Sequence, residues 1–248
     1  MTVFLTMIKN LLKRAGLYDT FIGSFYENKI YPIVYDIRFS KTRKERKKSM
    51  QKYGLDCINA IYSICKKNNT TVWLEFGSML GAYREHGFIP YDYDIDLSMY
   101  AEDITPQLIR DLYNYGFKIR KLFKLVKNEN LNNKVTTEFT LYYKGLFIDI
   151  FLNFKQEDSR TIYVYNNSLG QDNIERNIYG VRKFTVSDAK IDTIDFLGIK
   201  IGMPSNAEKC LSYYYGENFM TPIKNWNRKT KDLDLPYEKA YGEMIGAS

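Results

Sequence analysis

Apolar positions follow two different periods along this chain, and the switches between them mark out its elements. Leu55, Ile58, Ala60, Ile61 and Ile64 recur at helical spacing, with Cys57 and Cys65 alongside, which predicts a helix with one core-facing side. Val72 to Phe76 is a short apolar and aromatic run closed by Gly77-Ser78, after which Met79, Leu80, Ala82 and Tyr83 return to helical spacing until Gly87. That order predicts strand, tight turn and helix. Beyond Phe88-Ile89-Pro90 strict alternation begins, placing Asp94, Asp96 and Ser98 on one face of a strand and Ile95, Leu97 and Met99 on the other. Glu138 to Tyr143 and Leu146 to Phe154 are two more β-like runs joined through Lys144-Gly145, a predicted hairpin. The Asn- and Lys-rich stretch from Leu122 to Lys134 predicts a loop, and Ser159 to Val186 holds β-like pieces whose pairing the pattern does not assign.

Chemistry gathers on the first of these units. A strand that turns into a helix at Gly77-Ser78 aims backbone N–H groups and a hydroxyl toward one point at the positive end of the helix dipole, which suits an anionic oxygen. Ser78 can equally serve as a helix cap. Gly81 costs about 1 kcal/mol against alanine inside a helix, so a close approach of helix to strand is predicted there. Asp94 and Asp96 point the same way. At an effective dielectric near 20, two unit charges roughly 5 Å apart repel by about 3 kcal/mol, a repulsion that a divalent cation turns into binding. Carboxylate oxygens suit Mg²⁺ or Mn²⁺ better than zinc, although an isolated Asp-x-Asp equally describes a solvated strand end. Asp149 is the one charge in Leu146 to Phe154 and alternates with Phe147 and Phe151. An unpaired carboxylate there needs a partner, which a cation or a buried lysine or arginine would supply.

The residues from Gly77 to Leu97 resemble the LicD family. Gly77-Ser78-Met79-Leu80-Gly81-Ala82-Tyr83-Arg84 and then Gly87-Phe88-Ile89-Pro90-Tyr91-Asp92-Tyr93-Asp94-Ile95-Asp96 follow that family's pattern without a gap. Phe147-Ile148-Asp149-Ile150-Phe151 is similar to its later strand carrying a third acid. Phe196-Leu197-Gly198, Met203-Pro204 and Tyr213 to Thr221 resemble its closing segment. Tyr91 stands where tryptophan is usual and Tyr93 where a middle aspartate is common, while Ser78 replaces threonine and keeps the hydroxyl. His86 gains no catalytic role from the resemblance and reads as a surface or dipole-complementing residue near a helix end.

The resemblance implies a nucleotidyltransferase-type fold and transfer of a phospho-alcohol group, phosphocholine being the best known, from a CDP-alcohol donor to a sugar hydroxyl with release of CMP. Other members use other CDP-alcohols, such as CDP-ribitol. Asp94, Asp96 and Asp149 are the implied catalytic acids, holding Mg²⁺ or Mn²⁺ with Asp92 as a further ligand candidate. Asp149 is either a ligand or the base that takes the acceptor's proton. Gly77, Ser78 and Arg84 are the implied donor-phosphate contacts, with Arg84 alternatively pairing with Glu85 or Asp92. The acceptor is a cell-surface glycan or its lipid-linked precursor.

Composition adds bounds. The 248 residues, 45% hydrophobic, support one sizeable core and contain no internal repeat. The expected fold is a mixed α/β, largely antiparallel nucleotidyltransferase-like sheet with flanking helices and helical N- and C-terminal segments, divided into a basic amphipathic segment over 1–50 and a catalytic domain over 51–248. Twenty-two tyrosines and fifteen phenylalanines supply stacking surfaces for a sugar or choline, with Tyr91, Tyr93 and Tyr213 to Tyr215 the first to consider. Three cysteines in no metal-ligand spacing predict a reduced, cytoplasmic protein. Val3 to Leu12 predicts a short amphipathic helix, too charged to span a bilayer and without a cleavage site. The run Lys41 to Lys48 and the net charge of +7 suit an anionic membrane surface as well as a solvated helix face. No basic and aromatic interleaving points to nucleic acid. The rival readings are an NTP-dependent nucleotidyltransferase and a binding protein with a degenerate site, the latter opposed by the intact acids.

Overall fold

The computed structural model describes residues 11–17, 20, 31–127, 134–166, 178–223 and 240–246. Two compact units emerge, Met1–Lys48 and Ser49–Ser248. The segment Val3 to Leu12, with its expected amphipathic helix, lies outside the described residues except for residues 11 and 12, which are helical.

Helix α1 (Tyr31–Lys67) ends with Lys66 and Lys67 in its last turn, cations placed where the dipole favours them. Of the residues on its predicted core face, Ile58, Ala60 and Ile61 are buried, as are Cys57 and Cys65, while Leu55 and Ile64 are half-buried. Burial pushes the Cys57 and Cys65 thiols up to about 12, so both behave as inert core filler.

The elements that follow are β1 (Val72–Leu74), α2 (Phe76–Leu80) continued by a π-helical turn (Gly81–Glu85), β2 (Ile95–Tyr100), α3 (Pro106–Tyr115), β3 (Lys118–Lys127), β4 (Lys134–Tyr143), β5 (Leu146–Lys155), β6 (Ser159–Asn166), β7 (Ile178–Ser187), β8 (Ile191–Phe196), β9 (Ile199–Pro204), α4 (Ala207–Tyr215) and β10 (Ala240–Gly246). The strands form one sheet in the order β4-β3-β10-β7-β6-β5-β2-β1-β9-β8, and β4 also pairs with β5. Pairing is antiparallel except for β1 with β9 and β2 with β5. This is the mixed, largely antiparallel α/β fold expected. The last described element is nevertheless a strand, since β10 inserts between β3 and β7.

The alternation in β2 and β5 divides the sheet into a greasy face and a chemical face. Ile95, Leu97, Met99, Leu146, Ile148 and Ile150 are fully buried and join α1 residues in one hydrophobic cluster. Burying each such side chain contributes about 1.5–3 kcal/mol. Asp96, Ser98, Asp149 and Phe151 take the opposite face. The predicted hairpin closes through Lys144 and Gly145 at φ +47° and +86°, the left-handed pair of a type I′ turn. The expected loop over Leu122 to Lys134 is corrected in its first half: Leu122, Phe123, Leu125 and Val126 lie in β3, paired with both β4 and β10, because tertiary pairing outweighs the lysines between them.

Candidate active site

Gly77, Ser78 and Asp96 are locked to one another. The Gly77 N–H donates to Asp96 Oδ2 at 3.0 Å, and the Asp96 N–H donates to Ser78 Oγ at 2.9 Å. The tight turn therefore fixes β2 and its carboxylate. Of the two groups expected to face a phosphate, the Gly77 N–H serves Asp96, and the Ser78 hydroxyl accepts from the Asp96 N–H. Nor does Ser78 cap the helix: the cap position of α2 is Glu75, without a side-chain cap bond. Gly81 approaches the Gly87–Ile89 segment rather than a strand, for an added Cβ would lie 2.6 Å from the Gly87 carbonyl oxygen.

Phe76 enters the turn at φ +36°, a strained conformation for an aromatic residue. Three rings hold it there, with centroids at 4.8 Å (Phe151), 5.9 Å (Phe184) and 4.7 Å (Tyr214). Behind them Glu75 and Arg160 form a fully buried ion pair at 3.3 Å. Glu75 also accepts from Trp73 Nε1 and Ser98 Oγ, and Arg160 donates to Asn153 Oδ1. Sequence reading missed this pair, since Glu75 and Arg160 are 85 residues apart and neither belongs to a local pattern.

The carboxylates converge at the other end of the same face. Asp96 stands directly opposite Asp149 in the parallel β2–β5 register. Burial, then the charges of Asp94, Asp92 and Asp149, hold the Asp96 carboxyl well above the usual carboxylate range, against the pull of the Gly77 N–H. Burial also raises Asp92, which Asp94 and the Tyr93 N–H partly offset. Thr140 Oγ1 donates to Asp149 Oδ1 at 2.6 Å. A further acid joins them that the sequence did not single out: Glu138 is buried, and burial followed by the Asp149 charge pushes it well above its ordinary value. Its signal was available, because Glu138 and Thr140 alternate onto one face of a strand whose partner carries Asp149.

An all-oxygen donor set of this kind fits a hard cation. A Cβ at Gly77 would lie 3.1 Å from both Asp92 Oδ2 and Asp96 Oδ2, so glycine keeps room beside these oxygens. Among the described residues, however, no three acidic, histidine or cysteine side chains stand as a ready-made ligand set.

The remaining candidates sort by contact. Arg84 pairs with Glu85 at 2.8 Å, not with Asp92, and donates to the Phe219 carbonyl; its Nη2 is buried without a hydrogen-bond partner among the described residues. His86 is exposed at φ +53° and caps the π turn. Tyr91 is exposed and Tyr93 half-buried, whereas Tyr214 is a core residue.

A profile of the LicD/FKTN/FKRP nucleotidyltransferase domain matches residues 69–206, a span that holds every one of these acids. The ribitol-5-phosphate transferase FKTN of Mus musculus is 27% identical over 161 residues, covering 64% of this chain and 31% of that protein. An uncharacterised protein of Rickettsia typhi is 24% identical over 210 residues, 83% of this chain and 62% of its own length. The ribitol 5-phosphate transferase FKRP of Homo sapiens is 59% identical over 32 residues, 13% of this chain and 6% of that protein. The chain thus spans about a third of the length of the FKTN relatives it matches.

Proposed function

Because the chain belongs to the LicD/FKTN/FKRP nucleotidyltransferase-domain family, we propose that it moves a phospho-alcohol group from a CDP-alcohol to a sugar hydroxyl of a glycan or its lipid-linked precursor, releasing CMP. The observation that carries this reading is the cluster of Asp92, Asp94, Asp96 and Asp149 around the β2–β5 register. Asp94, Asp96 and Asp149, with Asp92, would hold Mg²⁺ or Mn²⁺. That ion would supply charge neutralisation on the diphosphate. The acceptor oxygen forms a bond to the outer phosphorus, the bond from that phosphorus to the bridging oxygen breaks, and CMP leaves with the electron pair. Asp149, oriented by Thr140, completes the acidic site as a ligand or takes the acceptor's proton. Gly77 and Ser78 keep Asp96 in place, and Arg84, anchored by Glu85 and Phe219, offers Nη2 to a donor oxygen.

For the alcohol, relatives named as ribitol-5-phosphate transferases favour a polyol phosphate, with phosphocholine as the alternative. Calorimetry with CDP-ribitol, CDP-glycerol, CDP-choline, CTP and ATP, in Mg²⁺ and then in EDTA, tests the proposal. Metal-dependent binding of one CDP-alcohol above CTP and ATP is the expected result. Binding of a nucleoside triphosphate alone would replace it with nucleotidyl transfer.

A further inference from the structure

Arg182, on β7, is only 9% exposed, and its Nε and Nη1 have no hydrogen-bond partner among the described residues. A buried guanidinium stays charged, and donors left unmade in the interior oppose folding. Among the described residues, the fully buried Arg160 differs in having a carboxylate and an amide as partners, since its Nη1 meets Glu75 and Asn153, although its Nε too is without a hydrogen-bond partner. Arg182 is therefore built like a binding group rather than a brace.

The strands show where it faces. β5 and β7 are each antiparallel to β6 and so run in the same direction. The Phe76 ring touches Phe151 of β5 and Phe184 of β7. Asp149 and Arg182 each lie two residues before those rings, on the same strand faces as the rings, and so extend from the shared contact toward the same end of the site. β5 pairs with β6 only at Phe154–Thr161 and Lys155–Arg160, while Val164, further along β6, is opposite Arg182. The acidic wall and the arginine wall accordingly part as they leave Phe76.

We infer that Arg182 binds a phosphoryl oxygen of the donor's diphosphate, across from Asp96 and Asp149. A phosphate between a cationic and a cation-binding wall has its charge balanced from both sides. The identity of the ligand as a CDP-alcohol rests on the function proposed above, but the anion site does not.

The test follows melting and calorimetry of the full chain with inorganic pyrophosphate, CDP, ADP and cytidine, for the wild type, Arg182→Met and Arg182→Lys. Pyrophosphate and CDP should raise the wild-type melting temperature, with CDP above ADP. Arg182→Met should weaken both by about tenfold or more, as expected for a lost charge-assisted contact, and leave cytidine unchanged; Arg182→Lys should fall between. Without ligand, Arg182→Met should melt higher than the wild type, because a buried charge with Nε and Nη1 unpartnered among the described residues is gone. A Met variant that melts lower or fails to fold marks a structural arginine and overturns the inference. So does unchanged pyrophosphate and CDP affinity, or a wild type that binds neither. Loss of pyrophosphate binding in Arg182→Met with no preference for CDP over ADP would keep the anion site and remove the CDP-alcohol reading.

Discussion

Asp96 sits among Asp94, Asp92 and Asp149 in a partly desolvated place, and its proton is held well above the ordinary carboxylate range; Glu138 is raised too. A carboxyl whose folded pKa exceeds its unfolded value binds more protons folded than unfolded between the two, so stability falls as pH rises through that window. In EDTA the melting temperature should drop as pH is raised from about 4, and Asp96→Asn should flatten the slope. Mg²⁺ or Mn²⁺ favours the ionised form, so its stabilising effect should grow over the same window. Differential scanning calorimetry reads both, and a cation effect independent of pH would count against the acidic cluster as its site. Asp94→Asn and Asp96→Asn should each lower turnover by about 10²-fold or more with unchanged circular dichroism. Gly77→Ala places a methyl 3.1 Å from Asp92 and Asp96 oxygens. Electron paramagnetic resonance should then report Mn²⁺ binding weaker by about tenfold, in a protein that still folds.

At the level of elements, the Glu75–Arg160 pair links the β1–α2 junction to β6, and through Asn153 to β5. Arg160→Met leaves the Glu75 charge buried, which costs about 3–5 kcal/mol, measurable by urea unfolding. Combining it with Glu75→Gln should recover part of the loss, and additive losses would mean that the two side chains do not act as a pair. What the sequence displayed of these elements follows from range. Period-2 alternation placed Asp96 and Asp149, and Lys144-Gly145 announced its hairpin, because strand faces and turns are local properties; Asp94, expected on the same strand, falls in the bend just before β2. α3 was also legible, though not read: Thr105 caps it by accepting from the Leu108 N–H, Pro106 opens it, and Gly116 at φ +114° ends it. Pairing of β10 between β3 and β7, burial of Arg160 and Arg182, and the engagement of Gly77 by Asp96 depend on residues far apart in the chain, and no local pattern encodes them.

On the scale of the whole molecule, the chain carries a net charge of +7, and the basic run Lys41 to Lys48 belongs to the first compact unit. Among the described residues no helix is long and apolar enough to cross a membrane. Every acid of the candidate site belongs to Ser49–Ser248. Residues 49–248 expressed alone should therefore melt cooperatively and bind the same nucleotide as the full chain, while sedimentation with vesicles containing anionic lipid should fall and lose its salt dependence. Equal vesicle binding by both forms would detach the basic run from any membrane role.

Asp96 and Asp149 meet because two neighbouring parallel strands are in register, not because the chain between them has a set length. That connection can lengthen or shorten in its turns without moving either carboxylate, whereas a single residue added inside β2 or β5 would turn one acid to the greasy face. This acidic pair is thus insulated from length variation in the turns and acutely sensitive to it inside the strands. Insertion libraries across 95–155 should reproduce this contrast as tolerance in the turns and silence within the strands, β4 included, because its Thr140 stands opposite Asp149.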